Sequence, residues 1–403
     1  MKILLLCKKF PYPLKDGESI AIHALSKALS DLGCELSMLA MNTSKHYYPA
    51  RQLPAEMKHF QQIRTVDIDN RIKLVPAFLN LFSEQSYHIE RFVSAPFERA
   101  LQQMLQAEEY DIIQLETLYL APYIPTIRRY SKALVSMRAH NVEHEIWERI
   151  SSHTGNSLKR WYLQHLTAKL RRFEIDSLPQ YDVVLPITRR DANYFRDMGS
   201  EQPAVVTPIG IRTEVFQDVE PILHPHPSMS FIGSLDWMPN LEGLDWFIAK
   251  CWPAIHEAFP ALQFHVAGRN TPAHLLKLNT PQVTIHGEVP ESIPFVNAHN
   301  LMVVPLLSGS GMRAKILEGM ALGKVVITTS IGLEGIDARH KEHVLIANTP
   351  DQFQEALRYV LRSRKHLARI SEQARQFAFT QYDSLVIAKR LRAAYADCLV
   401  ETY

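Results

Sequence analysis

Cysteine is scarce in this chain: Cys7, Cys34, Cys251 and Cys398 stand far apart in 403 residues, with no CxxC spacing. Neither a disulfide framework nor a zinc site is indicated, and a reducing cytoplasm fits. Charge of either sign is also in short excess. A formal net charge of +2 lacks the concentrated basic surplus of a protein that tracks phosphates along a nucleic acid, so no nucleic-acid partner is expected. No apolar run approaches the ~18 residues of a membrane-crossing helix. The leucine-rich start, MKILLLCKKFPYP, is too short before Lys8 and Lys9 for a signal peptide and reads as a first strand. Any membrane contact would be weak and made from the surface.

With 46% hydrophobic and 21% charged residues, the composition is that of a soluble globular enzyme. The length suits two α/β domains. Lys2 to Cys7, a helix with Ala21, Leu25, Ala28, Leu29 and Leu32 on one face, and a strand from Cys34 to Met41 form an opening βαβ unit. It puts Gly17 at a strand's carboxyl end, where open α/β sheets bind ligands. Residues 42–110 carry less pattern, apart from a helix over Phe92–Leu105. Short buried strands are predicted at Asp111–Leu115, Lys132–Met137, Val183–Pro186 and Ala204–Pro208. The second of these runs into Arg138-Ala139-His140-Asn141-Val142-Glu143, a polar cluster placed where a strand ends and a helix starts.

Ser157–Leu178 is predicted helical, with Lys159, Arg160, Lys169, Arg171 and Arg172 and no acid as far as Phe173. At 100° per residue those cations scatter around the wheel, so a solvated helix is preferred to a membrane-facing one. A proline-rich, aperiodic stretch at 208–227 reads as a linker. A second alternation follows, with strands at Met229–Gly233, Leu262–Ala267, Val283–His286 and Val344–Ala347 and a helix from about Leu241 to Phe259. Helices are expected at Asp351–Arg364, His366–Phe379 and Leu385–Val400.

The most informative stretch is NLMVVPLLSGSGMRAKILEGMALGKVVITT, Asn300 to Thr329. An apolar strand over Leu301–Leu307 is followed by Ser308-Gly309-Ser310-Gly311, a turn able to approach an anion closely. A helix comes next, with Met312, Ile316, Met320 and Ala321 at apolar spacing. Gly311, Lys315 and Glu318 fall at i, i+4 and i+7 and so share a face. A cation there can neutralise a phosphate and a carboxylate can accept ribose hydroxyls, with Arg313 as a second cation. Gly309, Gly311 and Ala314 also fit GxGxxA, but the end of the next strand, where an acid is expected, holds Thr328, Thr329 and Ser330, and Glu334 comes only beyond Gly332, so a dinucleotide-binding unit is rejected.

Across nearly its whole length the chain resembles family 4 of the retaining glycosyltransferases. The resemblance rests on GSGMRAKILEGMALGKVVITT from Gly309 with LEGI from Leu333, on FIGSLDWMPNLEGLDWF from Phe231, and on RAHNVEHEIWE from Arg138. It implies the GT-B fold, an α/β architecture of two doubly wound Rossmann-like domains facing each other across a cleft. The first, acceptor-side domain would span 1–207, with the last helix (384–403) packing back on it. After the linker, a nucleotide-sugar-binding domain would span 228–383. The implied activity is metal-independent, retaining transfer of a sugar from a UDP- or GDP-sugar to a glycan, lipid-linked or protein-linked acceptor, in cell-envelope or exopolysaccharide biosynthesis. No cofactor is implied.

By the same resemblance, His140, Lys315 and Glu318 are the catalytic residues. Gly17, Arg269, Gly287, Glu288, Val289, Ser310, Gly311, Arg313, Lys315 and Glu318 hold the donor, and Arg138, Asn141 and Glu143 lie on the acceptor side. Two departures stand out. Ser310 occupies the place of the family's first acid, and the loop Ser234–Asn240 lacks the family's Arg…Lys pair. A partner subunit of the same fold without turnover, or a nucleotide-sugar epimerase, are the rival readings.

Overall fold

The computed structural model describes residues 1–402 except 15, 16, 45, 50–52, 153, 223 and 310. The chain divides into two compact units, Met1–Gly210 with Ile387–Tyr403, and Ile211–Val386.

The first unit is built on a six-stranded parallel sheet of β1 (Lys2–Cys7), β2 (Glu35–Thr43), β3 (Gln62–Ile68), β4 (Ile112–Leu115), β5 (Leu134–Ala139) and β6 (Val183–Pro186). Their order is β3-β2-β1-β4-β5-β6, so the winding reverses between β1 and β4. Alternation along β1 supplies both faces, as expected of a strand covered on two sides. Leu4 and Leu6 enter one apolar core, while Ile3, Leu5 and Cys7 enter the other. The second core is completed from far along the chain, by Ile387, Ala388, Leu391 and Tyr395 of the helix Ser384–Thr402. The Tyr395 hydroxyl is buried between Ser136 Oγ at 2.7 Å and Gln114 Oε1 at 2.8 Å.

The second unit repeats the plan. Its strands are β7 (Ser228–Ile232), β8 (Gln263–Ala267), β9 (Val283–Gly287), β10 (Leu301–Val304), β11 (Val325–Thr328) and β12 (Leu345–Ile346). They are all parallel and ordered β12-β11-β10-β7-β8-β9. The winding reverses between β7 and β10, the place where open sheets of this kind take ligands.

Several elements differ from the sequence expectation for local reasons. β10 stops at Val304, before Pro305, which has no N–H to give the ladder. Ala204 makes only an isolated bridge with Val184, not a strand. The helix expected over 241–259 starts at Met238 and is interrupted by a wider π turn at Phe247–Cys251 before resuming as Trp252–Ala258. β3, an edge strand in the weakly patterned region, has no counterpart in the sequence reading. Residues expected as a linker are fixed within the second unit from Ile211 onward. Arg375 binds the carbonyls of Phe216, Gln217 and Val219 there, at 3.0, 3.3 and 3.1 Å.

Candidate functional site

In the second unit the chemistry gathers at the carboxyl ends of β7 and β10. Lys315, in the first turn of the helix Ala314–Ala321, sends its ammonium back to the end of β7. It donates to the Ile232 carbonyl at 3.0 Å and to Asn240 Oδ1 at 2.8 Å, and lies 5.0 Å from the centre of the Phe231 ring. An ammonium has three donors, so one remains for a ligand. Burial pulls its pKa down to about 7, with the Arg313 charge adding to the effect and Glu318 opposing it. Gly233 makes room for this amine. A Cβ there would stand 2.6 Å from Lys315 Nζ and 2.8 Å from Asn240 Nδ2.

Arg313 is buried. Its guanidinium lies 5.4 Å from the centre of the Trp237 ring, one N–H group donates to the Gly311 carbonyl, and burial lowers its pKa. Thus the loop Ser234–Asn240, which lacks cations of its own, supplies the supports of two cations carried by the glycine loop and its helix. Gly309 and Gly311 adopt φ of 107° and 84°, a region that favours glycine. At Gly309 a Cβ would also meet Arg313 Nη2 at 2.9 Å. Ser308 Oγ donates to Glu242 at 2.9 Å. The helix proper begins only at Ala314, and Arg313 at its N-cap makes no side-chain capping hydrogen bond. Gly311 therefore does not share a helix face with Lys315 and Glu318 as the spacing implied; it is a loop residue. Glu318 is exposed as a residue, yet desolvation by its surroundings raises its pKa against the pull of Lys315. Ser310 lies outside the described residues.

Arg269 is exposed, and its carbonyl accepts from the Leu235 N–H at 2.9 Å. Gly287 closes β9 with φ of 69°, its carbonyl taking the Gly268 N–H at 2.7 Å, and exposed Glu288 and half-buried Val289 follow. These four therefore line the ends of β8 and β9.

In the first unit the RAHNVEH cluster is more structural than the sequence implied. Arg138 is inaccessible to solvent. It donates to the Ala21 carbonyl at 3.2 Å and lies 3.6 Å from Glu116, and its Nε and Nη2 find no hydrogen-bond partner. A residue so placed inside β5 cannot touch an acceptor. Glu143 is also buried: the Tyr119 hydroxyl donates to it at 3.0 Å, and burial raises its pKa. Arg138 is thus a correction to the acceptor-side set; Glu143 is committed to Tyr119, and Asn141 is half-buried.

His140 stands just beyond β5, its Nε2 3.0 Å from Glu116 Oε2. Burial would raise the Glu116 carboxyl, but the Arg138 charge and the His140 hydrogen bond outweigh it and hold the pKa below its usual value. Gln114 fixes the other carboxylate oxygen. Sequence reading missed Glu116, although it stands directly after β4 at the reversal of the winding. It also missed Glu174, far along the helix Ser157–Ser177. This buried acid accepts from the Glu143 and His144 N–H groups at 3.0 and 3.1 Å and contacts His144 Nδ1 at 2.7 Å. It thereby caps the helix Glu143–Ser152. Gly17 opens the helix Gly17–Asp31; a Cβ there would meet nothing within 4 Å. Its neighbour Glu18 lies 3.5 Å from Lys8 and 3.6 Å from Lys9. Among the described residues, no three His, Cys, Asp or Glu side chains are grouped to hold a metal ion.

Residues 226–363 match the family described as Glycosyl transferases group 1. Over 407 aligned positions the chain is 22% identical to an uncharacterized 44.6 kDa protein in the cps region of Klebsiella pneumoniae, covering 95% of this chain and 97% of that one. It aligns along its full length with all of the sucrose-phosphate synthase of Thermosynechococcus elongatus, at 16% identity and a TM-score of 0.68. It also aligns with Anabaena HepE in complex with UDP, at 13% identity and a TM-score of 0.66, over 98% of this chain and 100% of that one. The chain therefore has the GT-B fold, and the stretch matching the group 1 glycosyl transferases contains Arg313 and Lys315.

Proposed function

We propose that this protein is a retaining glycosyltransferase. It moves a sugar from a UDP- or GDP-sugar to a glycan, lipid-linked or protein-linked acceptor in cell-envelope or exopolysaccharide assembly. The observation that carries this reading is the Lys315 ammonium at the end of β7, with one donor unused and Arg313 behind the same glycine loop. Departure of a nucleoside diphosphate builds negative charge, and fixed cations of low hydration stabilise it without reorganising. Glu318 supplies an acceptor for the two ribose hydroxyls. The family match over 226–363, the UDP held by HepE and the cps-region relative support the reading. His140, held by Glu116, orients a sugar hydroxyl and is not the nucleophile.

A thermal-shift screen of UDP, GDP and their sugars tests it, since a ligand of the folded state raises stability by mass action. One nucleotide should raise the melting temperature, and its sugar should be slowly hydrolysed. Proton NMR of the product should show the donor's anomeric configuration kept. Glu318→Ala should weaken nucleotide binding by about 1–3 kcal/mol, the range for a hydrogen bond to a charged group. Unchanged affinity in the folded variant would remove the ribose assignment. Ser310 at the family's first acid position favours a second reading, a nucleotide-binding subunit without turnover. Tight binding with no hydrolysis and no transfer would select it.

A further inference from the structure

The first unit carries a run of large apolar side chains that its cores do not use. Ile72, Val75, Phe78, Leu79 and Phe82 lie along the short helix Leu74–Leu79 and the turn Asn80–Phe82; Phe78 is 62% and Phe82 81% exposed. The two phenyl rings meet edge to face at 5.8 Å and leave their outer surfaces to solvent. A second exposed pair, Leu158 at 73% and Trp161 at 55%, sits on the first turns of the helix Ser157–Ser177.

Contacts tie together the elements that carry the two groups. Lys169 of the long helix donates to the Asn80 carbonyl at 2.5 Å. Tyr162, one residue after Trp161, packs on Tyr87 and Leu166. The Tyr87 hydroxyl in turn accepts from the Lys73 N–H at 3.0 Å and donates to the Lys73 carbonyl at 3.1 Å. Contiguous exposed apolar side chains of this number are uncommon on a solitary soluble surface.

The charges around them choose the occupant. Lys159 and Arg160 flank Leu158 and Trp161 and are exposed, and Lys73 stands between Ile72 and Val75. Of the acids nearby, Asp69 pairs with Arg71 at 2.8 Å and Lys73 at 3.4 Å, Glu90 takes the Asn80 amide at 2.9 Å, and Glu84 beside Phe82 is exposed; the exposed cations Arg71, Lys73, Lys159 and Arg160 outnumber these three. Aromatic and aliphatic side chains with a rim of cations match the boundary between the acyl chains and the headgroups of an anionic bilayer. Sequence periodicity had pointed only to the cations of the long helix, which scatter; the apolar half of the surface comes from a segment some eighty residues earlier. We propose that this surface docks the protein on an anionic membrane, with Phe78, Leu79, Phe82 and Trp161 seated at the depth of the headgroups and Lys73, Lys159 and Arg160 against lipid phosphates. The inference does not depend on the reaction proposed above.

Co-sedimentation of the full chain with vesicles of phosphatidylcholine, with and without phosphatidylglycerol, tests it. The protein should pellet with the anionic vesicles, and salt should release most of it. Phe78→Glu combined with Phe82→Glu should cut the bound fraction about tenfold or more, and Lys159→Glu combined with Arg160→Glu should abolish the preference for anionic lipid. Both variants should keep the wild-type melting temperature, because the altered side chains support no core; Trp161→Ser serves as the alternative if either fails to fold. Failure of the wild type to bind either vesicle, or wild-type binding by the phenylalanine variant, would overturn the proposal. So would a concentration-dependent dimer that the phenylalanine variant dissolves, since the surface would then serve a second copy of the chain.

Discussion

Lys315 shows what a single half-buried ammonium asks of its surroundings. Its folded-state pKa of about 7 lies below the ordinary 10.5. Between those values the folded protein binds fewer protons at this site than the unfolded chain does. The Lys315 contribution to stability therefore rises with pH across that window. An anion at the free donor reverses the preference and returns the amine to its charged form. Calorimetry of nucleotide binding somewhat above pH 7, in two buffers of different ionisation enthalpy, should show net proton uptake that Lys315→Met removes. Equal apparent enthalpies for the wild type in both buffers would mean the amine does not meet the phosphates. His140 gives a second expectation at this scale. His140→Ala should leave nucleotide affinity nearly intact and lower turnover by about 10²-fold, as for a lost orienting or proton-handling group. Glu116→Gln should give part of the same loss by freeing the ring. A wild-type melt with normal turnover in His140→Ala would take it out of the chemistry, and a joint loss of melting temperature and turnover would make it a structural group.

Elements meet here through small residues. Gly243 sits inside the helix Met238–Trp246, where glycine costs about 1 kcal/mol relative to alanine. Its value there is proximity, because a Cβ would lie 2.4 Å from the Pro305 carbonyl. Gly243→Ala should therefore destabilise the second unit by about 1–3 kcal/mol despite better helix propensity, as measured by urea unfolding; a stabilised variant would show that the helix can slide away. The same packing logic explains what sequence could disclose. β6 and β10 are continuous apolar runs, and β1, β4 and β5 are largely apolar, so their strand character is local information. Lys315 and Glu318 lie on one eight-residue helix, and their spacing alone relates them. Glu116 and Glu174 act through partners 22 to 31 positions away, and no periodicity encodes such meetings. Arg138 misled for the complementary reason. A charged residue beside a site motif reads as a site residue, whereas its place within β5 turns it inward.

For the whole molecule, the decisive feature is a first unit assembled from both sides of the second in sequence. Tyr395→Phe would leave Ser136 and Gln114 buried beside a missing hydroxyl. We expect a loss of about 1–3 kcal/mol, the desolvation cost of an unmade hydrogen bond, seen as earlier proteolysis within 1–210 while fragments of 211–386 persist. Equal protection of both units would mean that the helix Ser384–Thr402 contributes little beyond covering the sheet. Synthesis is where the arrangement bears hardest. Residues 387–402 leave the ribosome only after the entire second unit, so β1 to β6 wait for the wall that Ile387, Leu391 and Tyr395 provide. At ~5–20 residues per second that interval lasts roughly ten seconds or more. During it Ile3, Leu5 and Leu36 lack part of their final cover, so the nascent chain is a natural client for chaperones. A ribosome that stalls late yields a product whose second unit is complete while its first remains open to proteases.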